Sequence, residues 1–285
     1  MKRSDGVLLK SLDPFTKIIP YIMDKRIEAQ NFSKQVIITD GIDSYISDRN
    51  SQGYRFTYLH VFIAAYVRLF AVRPNLNRFI MNSKIYERNN ISISMVIKHS
   101  LRDDAEETTV KFEFTGKETI FEVAEIIDRE IAEARNNKSN TDVDKIVVLV
   151  MSLPGVVKKG LVKILKGMDR LNILPKSIIK ASPYHTTLFF TYLKSIKADY
   201  VYHHLTEFGT AGFFAALGRT EKLPMVVGGQ LVIKKCCQVG YTIDDRVCDG
   251  LYLANSFRLL EKYFKNPYIL EESLDDELSI DSKTA

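Results

Sequence analysis

The chain has no run of about 20 apolar residues, the length a helix needs to cross a bilayer, so no transmembrane helix is expected. Its first stretch, "MKRSDGVLLKSLDPFTK", has two early basic residues but no sustained apolar core and no small-residue cleavage site, which excludes a secretory signal. Cysteine is scarce. Cys236, Cys237 and Cys248 have no metal-ligand spacing, and adjacent cysteines rarely pair with each other, so a reduced, cytoplasmic protein without a metal is expected. There is no zinc-finger spacing, no helix-turn-helix signal and no aromatic RNA-binding motif, so nucleic acid is not an expected partner. Internal repeats and low-complexity linkers are also absent.

What is present is ample apolar material: 46% of 285 residues, enough for one large core. The net charge of +5 hides an asymmetry. From Asn266 onward, Glu271, Glu272, Asp275, Asp276, Glu277 and Asp281 face only Lys283, which leaves +10 on residues 1–265. Residues 1–265 read as a single mixed α/β domain, and residues 266–285 as an acidic, solvated, mobile tail. A body of that charge suits an anionic ligand such as a nucleotide thioester, although an ordinary lysine-rich surface gives the same count.

Periodicity supplies the elements. "KQVIITDGIDSYI" reads as a strand, a turn at Asp40-Gly41 and a short helix. "RFTYLHVFIAAYVRLFAVRP" is apolar nearly all round and stops at Pro74, as a buried helix would. "IYERNNISISMVIKHS" gives two strands around Asn89-Asn90, and "TTVKFEFTG" alternates again. In "KETIFEVAEIIDREIAEARNNK", Ile120, Val123, Ile127 and Ile131 share a helix face. The apolar run Ile146–Val157 is twelve residues long and broken by Pro154-Gly155, too short to span a bilayer. The lysines that follow it make the next segment basic and amphipathic. Core and oligomer packing is the main reading there, and a membrane-surface role the lesser one. Strands follow from His185, with Gly228-Gly229 as a hairpin turn between two β-rich runs. "LYLANSFRLLEKYFKNP" is a helix in which Leu251, Ala254, Phe257, Leu260 and Tyr263 recur on one side, and Pro267 follows its end.

Immediately before that helix stands "YTIDDRVCDG" (241–250). "DDRVCDG" followed by an amphipathic helix resembles the closing H-x-x-x-D-G motif of the chloramphenicol acetyltransferase-like superfamily, which includes the catalytic domains of 2-oxoacid dehydrogenase dihydrolipoyl acyltransferases. "FFAALGRTEKLPMVVGGQLVIKK" resembles the strand and hairpin that precede the motif in those proteins. "YRFTYLHVFIAAYVRLFAVRPNLNRFIMNSKIYERNNISISMVI" resembles their helix and the hairpin after it. The resemblance implies a mixed sheet flanked by helices, assembled as a homotrimer with active sites at subunit interfaces. It implies acyl-CoA as substrate, coenzyme A entering one side of a channel and a small-molecule thiol or hydroxyl acceptor the other. A free-standing catalytic-type domain is expected, without lipoyl or subunit-binding modules.

By the same resemblance, a general base removes the acceptor's proton and a hydroxyl from the facing subunit holds the tetrahedral oxyanion. The hydroxyl corresponds to Thr191 in "FFTYL". The bracing Asp corresponds to Asp249, with Arg26 as its expected partner, and Gly250 lets the chain turn into the helix. Asp245 stands where the motif has its His. An unperturbed carboxylate near 3.9 receives a proton from a thiol near 8.5 at a cost of about 6 kcal/mol, against about 2 units for a His. Burial would raise the carboxylate and narrow that gap, and a second carboxylate close in sequence, Asp244 or Asp249, would help. The sequence therefore points to an acyltransferase whose activity is weakened or lost, with a non-catalytic trimeric scaffold of the same fold as the alternative. His203-His204 is the pair that would replace the base, though one packed and one exposed His is the plainer reading. His185 is a weaker candidate, and Cys248 reads as a small apolar side chain facing the core.

Overall fold

The computed structural model describes residues 3–98, 107–136 and 152–274. Among them the strands are β1 (Gly6–Leu8), β2 (Gln30–Ile38), β3 (Arg78–Met81), β4 (Lys84–Arg88), β5 (Ile91–Lys98), β6 (Glu107–Phe114), β7 (Leu188–Tyr192), β8 (Phe213–Val227) and β9 (Gln230–Asp244). The helices are α1 (Pro14–Ile22), α2 (Asp40–Ser51), α3 (Tyr58–Val72), α4 (Ile120–Asn136), α5 (Gly155–Arg170), α6 (Lys176–Ala181) and α7 (Gly250–Lys265).

Six strands form the main sheet in the order β2-β9-β8-β7-β5-β6. β7 runs parallel to both its neighbours, β5 and β8, and the remaining pairs are antiparallel. This is the expected mixed sheet flanked by helices. A smaller sheet, β1-β4-β3, lies apart from it. The strands on either side of Asn89-Asn90 therefore belong to different sheets. The hairpin that follows α3 is β3–β4, closed by Asn82 and Ser83, both at positive φ.

α3 is buried from Tyr58 to Phe70, and its apolar surface meets the sheet on one side and α4 and α7 on the other. Its start is fixed by a reciprocal cap between Thr57 and His60, and Pro74 follows its end. Gly228-Gly229 is the two-residue turn of the β8–β9 hairpin, with Val227 opposite Gln230 and both glycines at positive φ.

Three expectations need correcting. α7 buries Leu253, Ser256, Leu260, Tyr263 and Phe264, whereas Leu251 is exposed. A strict three-residue spacing drifts around a 3.6-residue helix, so the repeat read from exposed Leu251 reaches the buried face only at Leu260 and Tyr263. The segment after Asn266 is not loose throughout. Pro267–Glu271 forms a 3-10 turn that buries Pro267 and Leu270, and Arg49 Nη2 donates to Glu271 at 2.7 Å. Of the run Ile146–Val157, residues 146–151 lie outside the described residues, while Val156 and Val157 at its end are exposed rather than packed. No helix among the described residues is long and apolar enough to cross a membrane.

Candidate active site

β7 alternates with a period of two. Leu188 and Phe190 point into the main core, and Phe189 and Thr191 face the other way. On that second face lies a cavity of about 1050 Å³, lined by Phe189, Thr191, His203, His204 and Phe214 among others. Its size suits a substrate with a bulky carrier group.

The histidines reach the cavity because their loop lies flat across the sheet. Thr191 pairs with Ala216 and Ala216 with Gly240, so these three occupy one row. A Cβ on Gly240 would sit 2.5 Å from the Val201 carbonyl oxygen, and one on Gly218 would sit 2.5 Å from the Tyr200 nitrogen. The two glycines admit the backbone of residues 200 and 201 to a distance no other residue allows. Leu205 then packs on Phe214 and Ala216. The rings form a stack: Phe189 on Phe214 at 5.3 Å, Phe214 on His203 at 4.3 Å, and His203 on His204 at 4.7 Å. His203 Nδ1 lies 3.1 Å from the His204 carbonyl oxygen. A carbonyl only accepts, so Nδ1 carries the proton and Nε2 of the neutral ring is the basic nitrogen.

Buried charge anchors the far side of the loop. Arg26 is buried; its Nη1 donates to the Thr206 carbonyl and its Nη2 to the Ile80 carbonyl at 3.4 Å. Its Nε stands 3.6 Å from Asp244 Oδ2. Burial, opposed by the Asp244 charge, pulls the Arg26 guanidinium below its ordinary value. Asp244 is gripped on its other side by Arg246 at 2.8 and 2.7 Å, and Arg246 donates onward to the Met23 carbonyl at 2.8 Å. Gln30 Nε2 donates to the Leu205 carbonyl at 3.4 Å, and Glu207 accepts from the Ile27 N–H at 3.1 Å.

The expected pairing of Asp249 with Arg26 is therefore replaced. Asp244 is the carboxylate that faces Arg26. Asp249 is exposed and caps α7, its Oδ1 accepting from the Tyr252 N–H at 2.9 Å. Gly250 is the first residue of α7. It has no positive φ, and a Cβ there would meet only open space, so in the single chain no tight turn demands glycine. Asp245 is exposed and lies outside the residues lining the cavity. Its N–H donates to the Ala29 carbonyl at 2.8 Å, and its carboxylate accepts from Asn31 at 3.4 Å. Asp245 is not buried within one chain, and of its two neighbouring carboxylates Asp244 is committed to two arginines while Asp249 caps α7.

Two other titratable groups have structural duties. Burial pushes the Cys248 thiol up to about 12, which keeps it protonated, and it packs against the main core. His185 is buried between Ser182 Oγ at 2.8 Å and Asp169 Oδ2 at 3.1 Å, away from the cavity. His60, not singled out by the sequence reading, does line the cavity. Its Nδ1 accepts from the Thr57 N–H at 3.3 Å, so its Nε2 donates to Asp128 at 3.2 Å. Burial, opposed by Asp128, lowers its proton affinity. Both nitrogens are occupied, one closing the start of α3 and the other tying it to α4.

Comparison with known proteins bears on the fold. The sequence model of the 2-oxoacid dehydrogenases acyltransferase (catalytic domain) family matches residues 213–271, which carry the β8–β9 hairpin, the motif and α7. The structure is similar to a probable dihydrolipoamide acetyltransferase from Listeria monocytogenes, with a TM-score of 0.56, 16% identity, and 91% of this chain and 95% of that one covered. It is also similar to a dihydrolipoamide acetyltransferase of Azotobacter vinelandii, studied for the roles of a serine, a histidine and an asparagine in its catalytic mechanism, with a TM-score of 0.58, 10% identity and coverage of 92% and 94%. A third relative in shape is a chloramphenicol acetyltransferase, with a TM-score of 0.54, 10% identity and coverage of 91% and 100%. No curated protein matches the chain by sequence. At these identities the likeness establishes the fold: chloramphenicol acetyltransferase-like.

Proposed function

We propose that this chain, with its chloramphenicol acetyltransferase-like fold, transfers acyl groups between coenzyme A and a thiol or hydroxyl acceptor, with His203 as its general base. The observation that carries the reading is the shared cavity: Thr191 and His203 line the same space, and His203 has its tautomer set by the His204 carbonyl. In this reaction His203 Nε2 takes the acceptor's proton as the acceptor attacks the thioester carbonyl. The Thr191 hydroxyl donates to the oxyanion that forms. Collapse expels the coenzyme A thiolate, which recovers the proton from the imidazolium. Arg55 and Arg135, at the cavity wall, supply positive charge for the phosphates of the carrier. The assembly is a homotrimer, in which a neighbouring chain closes the open side of the cavity.

A second reading keeps Asp245 as the residue presented to the neighbour's cavity. Its exposed position on the single chain favours a contact between subunits. A scaffold without turnover is the third. Coenzyme A release from acetyl-CoA with dithiol acceptors separates them. Under our reading His203→Gln lowers turnover by roughly 10²–10⁴-fold and Asp245→Ala leaves it standing. Loss with Asp245→Ala alone supports the second reading, and no turnover in any form supports the third.

A further inference from the structure

We infer that α5 is a peripheral docking surface for an anionic lipid bilayer. Val157, Leu161, Ile164, Leu165, Met168 and Leu171 follow the spacing of one helix face and its first residue beyond, while Lys159, Lys163, Lys166 and Arg170 follow the spacing of the opposite face. Among the described residues the fold covers this face only in part: Leu161, Leu165 and Met168 are half-buried, and the rest stays open. Val157 is 49% exposed, Ile164 59% and Leu171 56%, with Ile173 at 52% just beyond. Such exposure over four turns is unusual for a chain whose other long helices bury a face.

Charge selects the occupant. Between Ser152 and Ser182 the chain carries Lys158, Lys159, Lys163, Lys166, Arg170, Lys176 and Lys180, and one acid, Asp169. That acid is buried and committed to Arg3 and His185. The exposed charges among these residues, Lys159, Lys163, Lys166, Arg170, Lys176 and Lys180, are all positive. An apolar face about 24 Å long, with the basic residues on the other side of a helix only about 10 Å across and so within about one Debye length of the surface, fits the boundary between headgroups and acyl chains of an acidic membrane. A second copy of the chain on the same face would bring like charges together. The helix is too short and too basic to span the bilayer, so it lies along the surface.

Flotation of the full chain with vesicles tests this. Binding to phosphatidylcholine vesicles containing phosphatidylglycerol is expected, with little binding to phosphatidylcholine alone and release at high salt. Each basic side chain near an anionic surface contributes about five-fold in partitioning, so Lys159→Gln/Lys163→Gln/Lys166→Gln together lower it on the order of 100-fold. Ile164→Gln weakens binding while the salt dependence persists. All four positions are solvent-exposed, so circular dichroism and the melting temperature stay those of the wild type. Absence of flotation, equal binding to neutral vesicles, or binding undiminished by the triple substitution overturns the proposal. A fall in assembly mass for Ile164→Gln without any lipid binding also overturns it, and assigns the face to a self-contact.

Discussion

Gly240→Ala tests whether the loop over the sheet places a working histidine. The new methyl would sit 2.5 Å from the Val201 carbonyl oxygen and 2.8 Å from Tyr200 Cδ2, whereas ordinary contact begins near 3.4 Å. The backbone of residues 200 and 201 must therefore retreat by about 0.9 Å, because the sheet row beneath is held by ladder hydrogen bonds on both sides. Overpacking of this kind costs about 1–3 kcal/mol. In a chain of this size that lowers the melting temperature by roughly 2–4 °C per kcal/mol. A displacement of about 1 Å at a positioned catalytic group costs on the order of 100-fold in rate. The expected result is thus a modest loss of stability with a drop in kcat/KM of about two orders of magnitude. Gly218→Ala pushes the same loop from the neighbouring strand, through the Tyr200 nitrogen, and should reproduce both effects. The assay is coenzyme A release beside a thermal melt. If either variant loses the expected stability but keeps wild-type kcat/KM, the loop does not carry the base and the assignment of His203 fails.

Other consequences are checkable with simple measurements. Asp244→Asn leaves Arg26 and Arg246 buried without their counter-charge and should destabilise by about 3–5 kcal/mol in denaturant titration. Asp249→Ala, which removes only a helix cap, should cost about 1 kcal/mol. Burial alone would raise Asp169, but the hydrogen bonds and charges of His185 and Arg3 outweigh it and hold its carboxyl below the ordinary range. A lowered folded value means that the stabilisation is present above the unfolded carboxylate value of about 3.9 and is lost as pH falls further. The melting temperature should therefore drop below about pH 4, and Asp169→Asn should flatten that drop; a wild-type profile identical to the variant's would refute the linkage. Cys248, with its thiol pushed up to about 12, should resist iodoacetamide at neutral pH in the folded protein and react once unfolded.

How far the sequence reaches depends on whether the cause is local. The Gly228-Gly229 hairpin was legible because the turn chemistry is contained in two residues and their flanks. α3 was legible because its apolar residues leave no polar face and Pro74 ends it. The motif placed Asp245 and Asp249 beside α7 correctly in sequence, but it named the wrong partner for Arg26. Asp244 rather than Asp249 meets Arg26 because β9 delivers its last residue against the 3-10 turn at 26–29, a contact across more than two hundred residues that no spacing encodes. The same holds for the histidines. Nothing near "YHHLTEF" announces that Gly218 and Gly240, on two later strands, leave room for the loop beside Thr191. His60 was silent because its signal is that of a capping residue, and capping is what it does.

The most direct test of the central claim is the turnover of His203→Gln beside that of Asp245→Ala, both measured as coenzyme A release from acetyl-CoA with a dithiol acceptor. Our account predicts that the first is reduced by roughly 10²–10⁴-fold and that the second stays close to wild type. A His203→Gln protein with undiminished turnover, or an Asp245→Ala protein without any, would contradict it.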